Sequence, residues 1–265
     1  MTLDGIRIEE FGLKALLEHE HPLNAEITHK TVKIPGRDGL YYFGSEIGGK
    51  VFSITFDVIE DDKIEMQRKL NAFVAFLYDS YSQPRSIKVV FDYEPDVYYM
   101  IRINSSITPS RMYGLTQFSL PFVAYDPYKY SVVLSDEITW GSEVITFESH
   151  YLLGHECSDG LTNITSPTLL NILVDGLAIK PVIEITGSAT NLALNTNGYS
   201  ISVGTFNNAS WVIDCNDYTV KKDGVSAFNS VGLRDFILLP DNNQVSITGT
   251  GLNLSIRIKS RDKYI

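Results

Sequence analysis

KVFSITFDVIEDDKIEMQRKLNAFVAFLYDS, residues 50–80, holds the two patterns that decide the fold. Phe52, Ile54, Phe56 and Val58 alternate with Ser53, Thr55 and Asp57, the period of a strand with one buried face. From Asp62 the period changes. Leu70, Phe73, Val74 and Leu77 fall on one face at helical spacing, and Asp62 with Glu65 suits a capping box at the start. No other segment reads as a helix so clearly, so the economical picture is one helix lying on a β-sandwich.

Upstream, VKIPGRDG (32–39) leads into the aromatic LYYFGSEIGGK (40–50). Pro35 fixes the φ that the second position of a β-turn needs, and Gly36 supplies the positive φ that a type II turn requires next. A phosphate loop would instead place its glycines before a helix N-terminus. Here more strand follows, and the plain reading is a structural turn.

Downstream, strand patterns cover Ile87 to Phe91, Tyr98 to Ile103, Phe118 to Phe122, Tyr199 to Val203, Trp211 to Asp214 and Leu252 to Ile258. Pro121 breaks one alternation and suggests an edge or a bulge, since proline cannot donate to a ladder. After AYDPYKYS (124–131) charge thins while Asn, Ser, Thr and Gly rise. A boundary is placed there, giving domains 1–133 and 134–265. In the second, Asp223-Gly224 suits a type I′ hairpin turn, and the short, regularly punctuated strands read as an all-β sandwich.

The chain has 265 residues and a formal net charge of −10. It carries no run of Lys or Arg, which argues against specific nucleic-acid binding. No stretch is long and apolar enough for membrane insertion. The start lacks a signal-peptide pattern, which points to folding in a cytoplasm. The two cysteines, Cys157 and Cys215, are too few for a disulfide framework and are expected reduced and packed.

His19 and His21 flank Glu20 at a spacing that puts both imidazoles on one side of a strand, but no third ligand is announced and no metal is expected. HYLLGHEC (150–157) gathers His150, His155, Glu156 and Cys157 without a zinc spacing. Asp92, Glu94 and Asp96 resemble the carboxylate pair of a glycosidase, yet read more simply as a solvated hairpin tip. No catalytic motif and no cofactor site emerges. Trp211 and Tyr218 are the candidates for stacking on a sugar, which would make the second half a carbohydrate-binding module for host cell walls; core packing is the plainer reading for Trp211.

Residues 11–58, VVFDYEPDVYYMIRI (89–103) and QFSLPFVAYDPYKYS (117–131) together resemble the N-terminal domain of the distal tail (Dit) proteins of siphophages infecting Gram-positive bacteria. The matching features are the Pro35–Gly39 turn, the single helix Asp62 to Tyr78, and Asp126 to Tyr128 closing the domain. NGYSISVG (197–204), WVIDCNDYTVKKDGV (211–225) and FILLPDNNQVSITGTG (236–251) are similar to the family's galectin-like β-sandwich. Pro240 to Asn243 replaces the Pro-Gly-Asn turn common in relatives.

The resemblance implies a mainly β fold: an N-terminal ring-forming β-sandwich with one packed α-helix, then a galectin-like β-sandwich. It implies a non-enzymatic hub, a homo-hexamer at the distal end of the phage tail in the virion, assembled in the host bacterial cytoplasm. Its partners would be the tail tube protein, a tail-associated tip protein and a receptor-binding protein, and DNA would pass through its centre. On that reading Pro35, Gly36, Arg37, Asp38 and Gly39 are the ring-contact candidates, with Arg37 and Asp38 as charges between subunits.

Overall fold

The computed structural model describes residues 1–138, 145, 149–152 and 162–265; His155, Glu156 and Cys157 lie outside them. Two compact units result, Met1–Lys129 with Ile265, and Tyr130–Tyr264.

The first unit contains β1 (Lys14–Glu20), β2 (Ile27–Val32), β3 (Tyr41–Ile47), β4 (Lys50–Ile59), α1 (Lys63–Leu77), β5 (Ile87–Phe91), β6 (Glu94–Ile103) and β7 (Leu115–Ala124). The hydrogen-bonded order runs from the short strands Ile6–Arg7 and Thr2–Leu3 through β5, β6, β7 and β4 to β1. Among the described residues, β2 and β3 belong to none of this and pair only with each other. The alternation in β4 does what its sequence predicts: Phe52, Ile54, Phe56 and Val58 are buried, with Phe118, Leu120 and Phe122 of β7 beside them. Phe73 of α1 packs between Phe56 and Phe118, at ring-centroid distances of 5.7 and 6.2 Å.

Two details of the helix differ from expectation. Its buried face is Met66, Leu70, Phe73 and Leu77, while Val74 is exposed, because the stripe advances by alternating four and three residues and Val74 falls one position off it. The Asp62 carboxylate accepts from the Ile64 backbone N–H at 2.8 Å, but Glu65 pairs with Arg68 at 3.2 Å, so no reciprocal box closes. Pro121 sits inside β7, opposite Ser53, in an unbroken pairing with β4. On the other flank β7 meets β6 only at Phe122 and Val123. The residue without an N–H therefore stands where that ladder ends.

The second unit contains β8 (Thr168–Val174), β9 (Val182–Thr196), β10 (Tyr199–Asp214), β11 (Thr219–Lys222) and β12 (Asp241–Lys259). β12 pairs with β8, with Thr162–Ile164 and with β9, which leads on to β10, β11 and Val225–Ser226. Ile183, Ile185, Leu194, Ile201, Ile213, Val245, Ile247 and Ile256 are buried in one core. Sequence patterning sees two short strands where β10 is a single long one, because register shifts between Gly187 and Ala193 of β9 bend the ladder without ending it. Asp223 and Gly224 have φ of 49° and 82°, the left-handed pair a type I′ turn needs.

The departure at Pro240 to Asn243 is resolved by Asp241 taking the positive φ and by Asn243, which is 1% exposed. The Asn243 amide donates to the Leu239, Asp241 and Ile172 carbonyls, and its oxygen accepts from the Leu239 N–H and the Asn197 amide. Asn243→Ala strands several of these buried groups and is expected to cost about 2 kcal/mol in urea unfolding.

Asp262 is also buried, its Oδ1 accepting from the Asp175 N–H at 3.0 Å. Burial pushes its carboxyl up to about 6, and the Asp175 charge adds to this. Because the folded value lies above the unfolded one, the folded chain holds the extra proton, and stability falls as pH rises from about 4 to 6. Asp262→Asn keeps the acceptor without the charge. It should stabilise the chain by roughly 1–2 kcal/mol at pH 7 and flatten that slope, read by denaturation across the range.

Candidate functional site

β2 and β3 form a two-stranded arm with Ile27 opposite Ile47 at the root and Val32 opposite Tyr41 near the tip. The tip is the turn expected from sequence. The Arg37 N–H donates to the Ile34 carbonyl at 3.2 Å, and Gly36 has φ of 80°, which together make a type II turn around Pro35 and Gly36. Arg37 lies over the Tyr41 ring at 4.3 Å. Midway, the register shifts between His29 and Thr31, and Gly44 takes φ of 116° to accommodate the bulge. Lys30 and Glu46 pair across the strands.

The arm's chemistry is unusual for a surface. Leu40, Tyr42 and Phe43 are 62%, 61% and 69% exposed, and Ile27, Val32, Ile34 and Ile47 are exposed as well. Apolar residues thus face water from both sides of a ribbon, and a ribbon of two strands has little stability of its own. A contiguous apolar surface of this kind on a folded chain marks a place where another molecule packs. The five candidates Pro35, Gly36, Arg37, Asp38 and Gly39 are all exposed at its tip. Sequence reading located the tip but missed the two-faced arm behind it. The signal was present: consecutive Tyr41, Tyr42 and Phe43 must point alternately to opposite faces of a strand, so one core cannot bury all three.

The other candidates resolve differently. His19 and His21 do share a side, but they meet at the Tyr93 hydroxyl, at 2.9 and 2.6 Å. Asp92 pairs with the N-terminal ammonium at 2.7 Å and Glu94 with Lys129 at 2.8 Å. Each is held by its own cation and they form no acid–base pair; Glu94, half-buried at the start of β6, is not a solvated tip. Trp211 is 3% exposed and packs on Phe206 at 5.9 Å, which corrects the sugar-stacking reading: neither ring face is open to a ligand. Tyr218 is exposed, but Lys180 lies over its ring at 4.5 Å and its hydroxyl is bound by Lys180 and Asp235. Cys215 is buried, its thiol pushed up to about 12 by desolvation. A groove of about 350 Å³ beside α1 is lined by Lys63, Met66, Gln67, Leu70, Arg111, Met112 and Tyr113, with no carboxylate among them.

Residues 6–124 match the family described as phage tail protein RIFT-related domain. The matched stretch covers most of the first unit, which is thus similar in sequence to phage tail RIFT-related domains. Its arm, residues 27–47, lies wholly inside the matched segment. Over the whole chain, the structure described as "SPP1 Dit (gp 19.1) Protein, a Paradigm of Hub Adsorption Apparatus in Gram-positive Infecting Phages" is similar at a TM-score of 0.70, with 15% identity, covering 99% of this chain and 98% of that one. The chain therefore has the Dit fold. The structure of the phage p2 baseplate in its activated conformation with Sr is more loosely similar, at a TM-score of 0.47 and 13% identity, over 96% of this chain and 92% of that one. A comparison with curated proteins finds no match.

Proposed function

We propose that this chain is the hub at the distal end of a non-contractile phage tail. Residues 1–133 close into a hexameric ring between the tail tube and the tail-tip proteins, and 134–265 carry or border the receptor-binding apparatus. The observation that carries this reading is the arm: a phage tail domain with the Dit fold presents a two-faced apolar ribbon, and in a closed ring a neighbouring copy covers it. The open strand edges of β2 and β3 add backbone groups that such a neighbour can pair. A net charge of −10 per chain favours a lumen through which DNA slides without sticking. No catalytic step is needed for this role.

Arg37 and Asp38 sit at the tip of the contact as charges between copies. Exposed charges contribute little each, so Asp38→Ala should weaken ring association less than tenfold, measured by sedimentation. The test of the arm itself uses ring protein mixed from ¹⁴N- and ¹⁵N-labelled copies and an amine cross-linker. Mixed-isotope cross-links from Lys30 or Lys33 are expected. Cross-links from these lysines confined to single chains would remove the arm from the interface.

A further inference from the structure

The root of the arm is held by a directed chain of polar side chains, built in the first unit around His21. Lys50, the first residue of β4, is buried on the returning leg of the arm. Its ammonium donates to the Leu23 carbonyl on the outgoing leg at 3.2 Å and to the Tyr99 hydroxyl at 3.3 Å. His21 Nε2 lies 3.3 Å from that hydroxyl, and His21 Nδ1 lies 2.6 Å from the Tyr93 hydroxyl, which is 2.9 Å from His19 Nε2. The Lys50 ammonium can only donate. The Tyr99 oxygen therefore accepts from Lys50 and sends its own proton to His21 Nε2; His21 donates from Nδ1 to Tyr93, and Tyr93 donates to His19. Each proton along this path from Lys50 to His19 is passed to the next acceptor only while His21 is neutral.

We propose that this network is a proton-sensitive clamp on the arm, closed when His21 is neutral and released when His21 takes up a proton. With both ring nitrogens donating, His21 meets a Tyr99 oxygen that already accepts from Lys50, and the Tyr99 proton loses its acceptor. Burial opposes protonation too, and the charges around the ring act in both directions: Glu94, the strongest of them, attracts a proton to His21, while Lys50, His19 and Lys129 repel it. Glu94 is itself committed through one oxygen to Lys129, its other oxygen buried with no hydrogen-bond partner among the described residues. Tyr93 and Tyr99 have hydroxyls held protonated well above neutrality by burial, so both remain donors throughout.

The sign follows from burial, which with the nearby cations holds His21 below its ordinary 6.5. An opened root exposes His21 and restores that value, so opening takes up one proton. The clamp is fully present above about pH 6.5 and weakens as pH falls toward the folded value, opening becoming up to tenfold easier over the first pH unit.

The test is hydrogen–deuterium exchange of the intact protein at pH 7.5, 6.5 and 5.5, corrected for the intrinsic rate. Peptides covering 19–26 and 48–52 are compared with α1 as an internal reference. Exchange at the root should accelerate several-fold relative to α1 between pH 6.5 and 5.5. His21→Gln should abolish this acceleration, while His29→Gln, on the arm but outside the network, should leave it intact. Should His21→Gln fail to fold, the wild-type root-to-α1 ratio and the His29→Gln control still decide. A ratio that does not change with pH, or an acceleration that survives in His21→Gln, overturns the clamp.

Discussion

Phe43→Asp is expected to convert the assembled protein into single chains while leaving the stability of the single chain, compared with wild type at a concentration where both are dissociated, within about 0.5 kcal/mol. The asymmetry follows from where Phe43 sits. At 69% exposure in the isolated chain it contributes almost nothing to the fold, but in a ring it is an aromatic anchor, the type of residue whose loss costs about 2–4 kcal/mol per contact. A carboxylate in its place adds an unpaired charge in a dry interface. Together these weaken each contact more than a hundredfold, and because a closed ring needs every contact, the loss is cooperative. Mass determination at matched concentrations, beside urea unfolding of both proteins at a dilution where each is a single chain, separates the two quantities. A large loss of stability in the dissociated variant would mean that Phe43 supports the fold instead.

Gly187→Ala is expected to be the most damaging single methyl group, costing about 4 kcal/mol or preventing the second unit from folding. Gly187 holds φ of 136° at the start of the β9 irregularity, and a Cβ there would lie 2.7 Å from the Leu254 Cα and against the Asn253 carbonyl. Both are backbone atoms of β12, the strand paired with β9 over most of its length, so neither can yield without breaking the ladder. Gly198→Ala is the control. Its φ is similarly positive at 81° but nothing lies within 4 Å of its Cβ, so only the strain of the backbone is felt, about 1 kcal/mol. Urea unfolding of both variants tests whether close approach or conformation dominates; equal losses would contradict the packing argument.

Much of the fold was legible because burial on one side writes a period into the chain. Phe52 to Val58 and Ile87 to Phe91 announce their strands, and α1 its helix, within a residue or two. The Pro35-Gly36 turn was legible for a different reason: its two residues restrict φ before any tertiary contact forms. Long-range geometry was not. Core was the plainer reading for Trp211 from its apolar neighbours, but which ring it packs on was not legible, and the length of β10 depended on bulges in a strand beside it. The candidate site was half visible. Composition identified Tyr41, Tyr42 and Phe43 as strand residues but could not say that β2 and β3 stand apart from the main sheet, since exposed and interface edges carry the same residues. The network around His21 was invisible, because Tyr93, Tyr99 and Lys50 are distant in sequence and carry no motif.

If the chain is a tail hub, it closes into a ring through its arm. Light scattering of the purified protein over a concentration series, with negative-stain images of the same samples, reads this out. A species of six chains with an open centre is expected at micromolar concentration. A single-chain mass at every concentration, with no rings in the images, would contradict it.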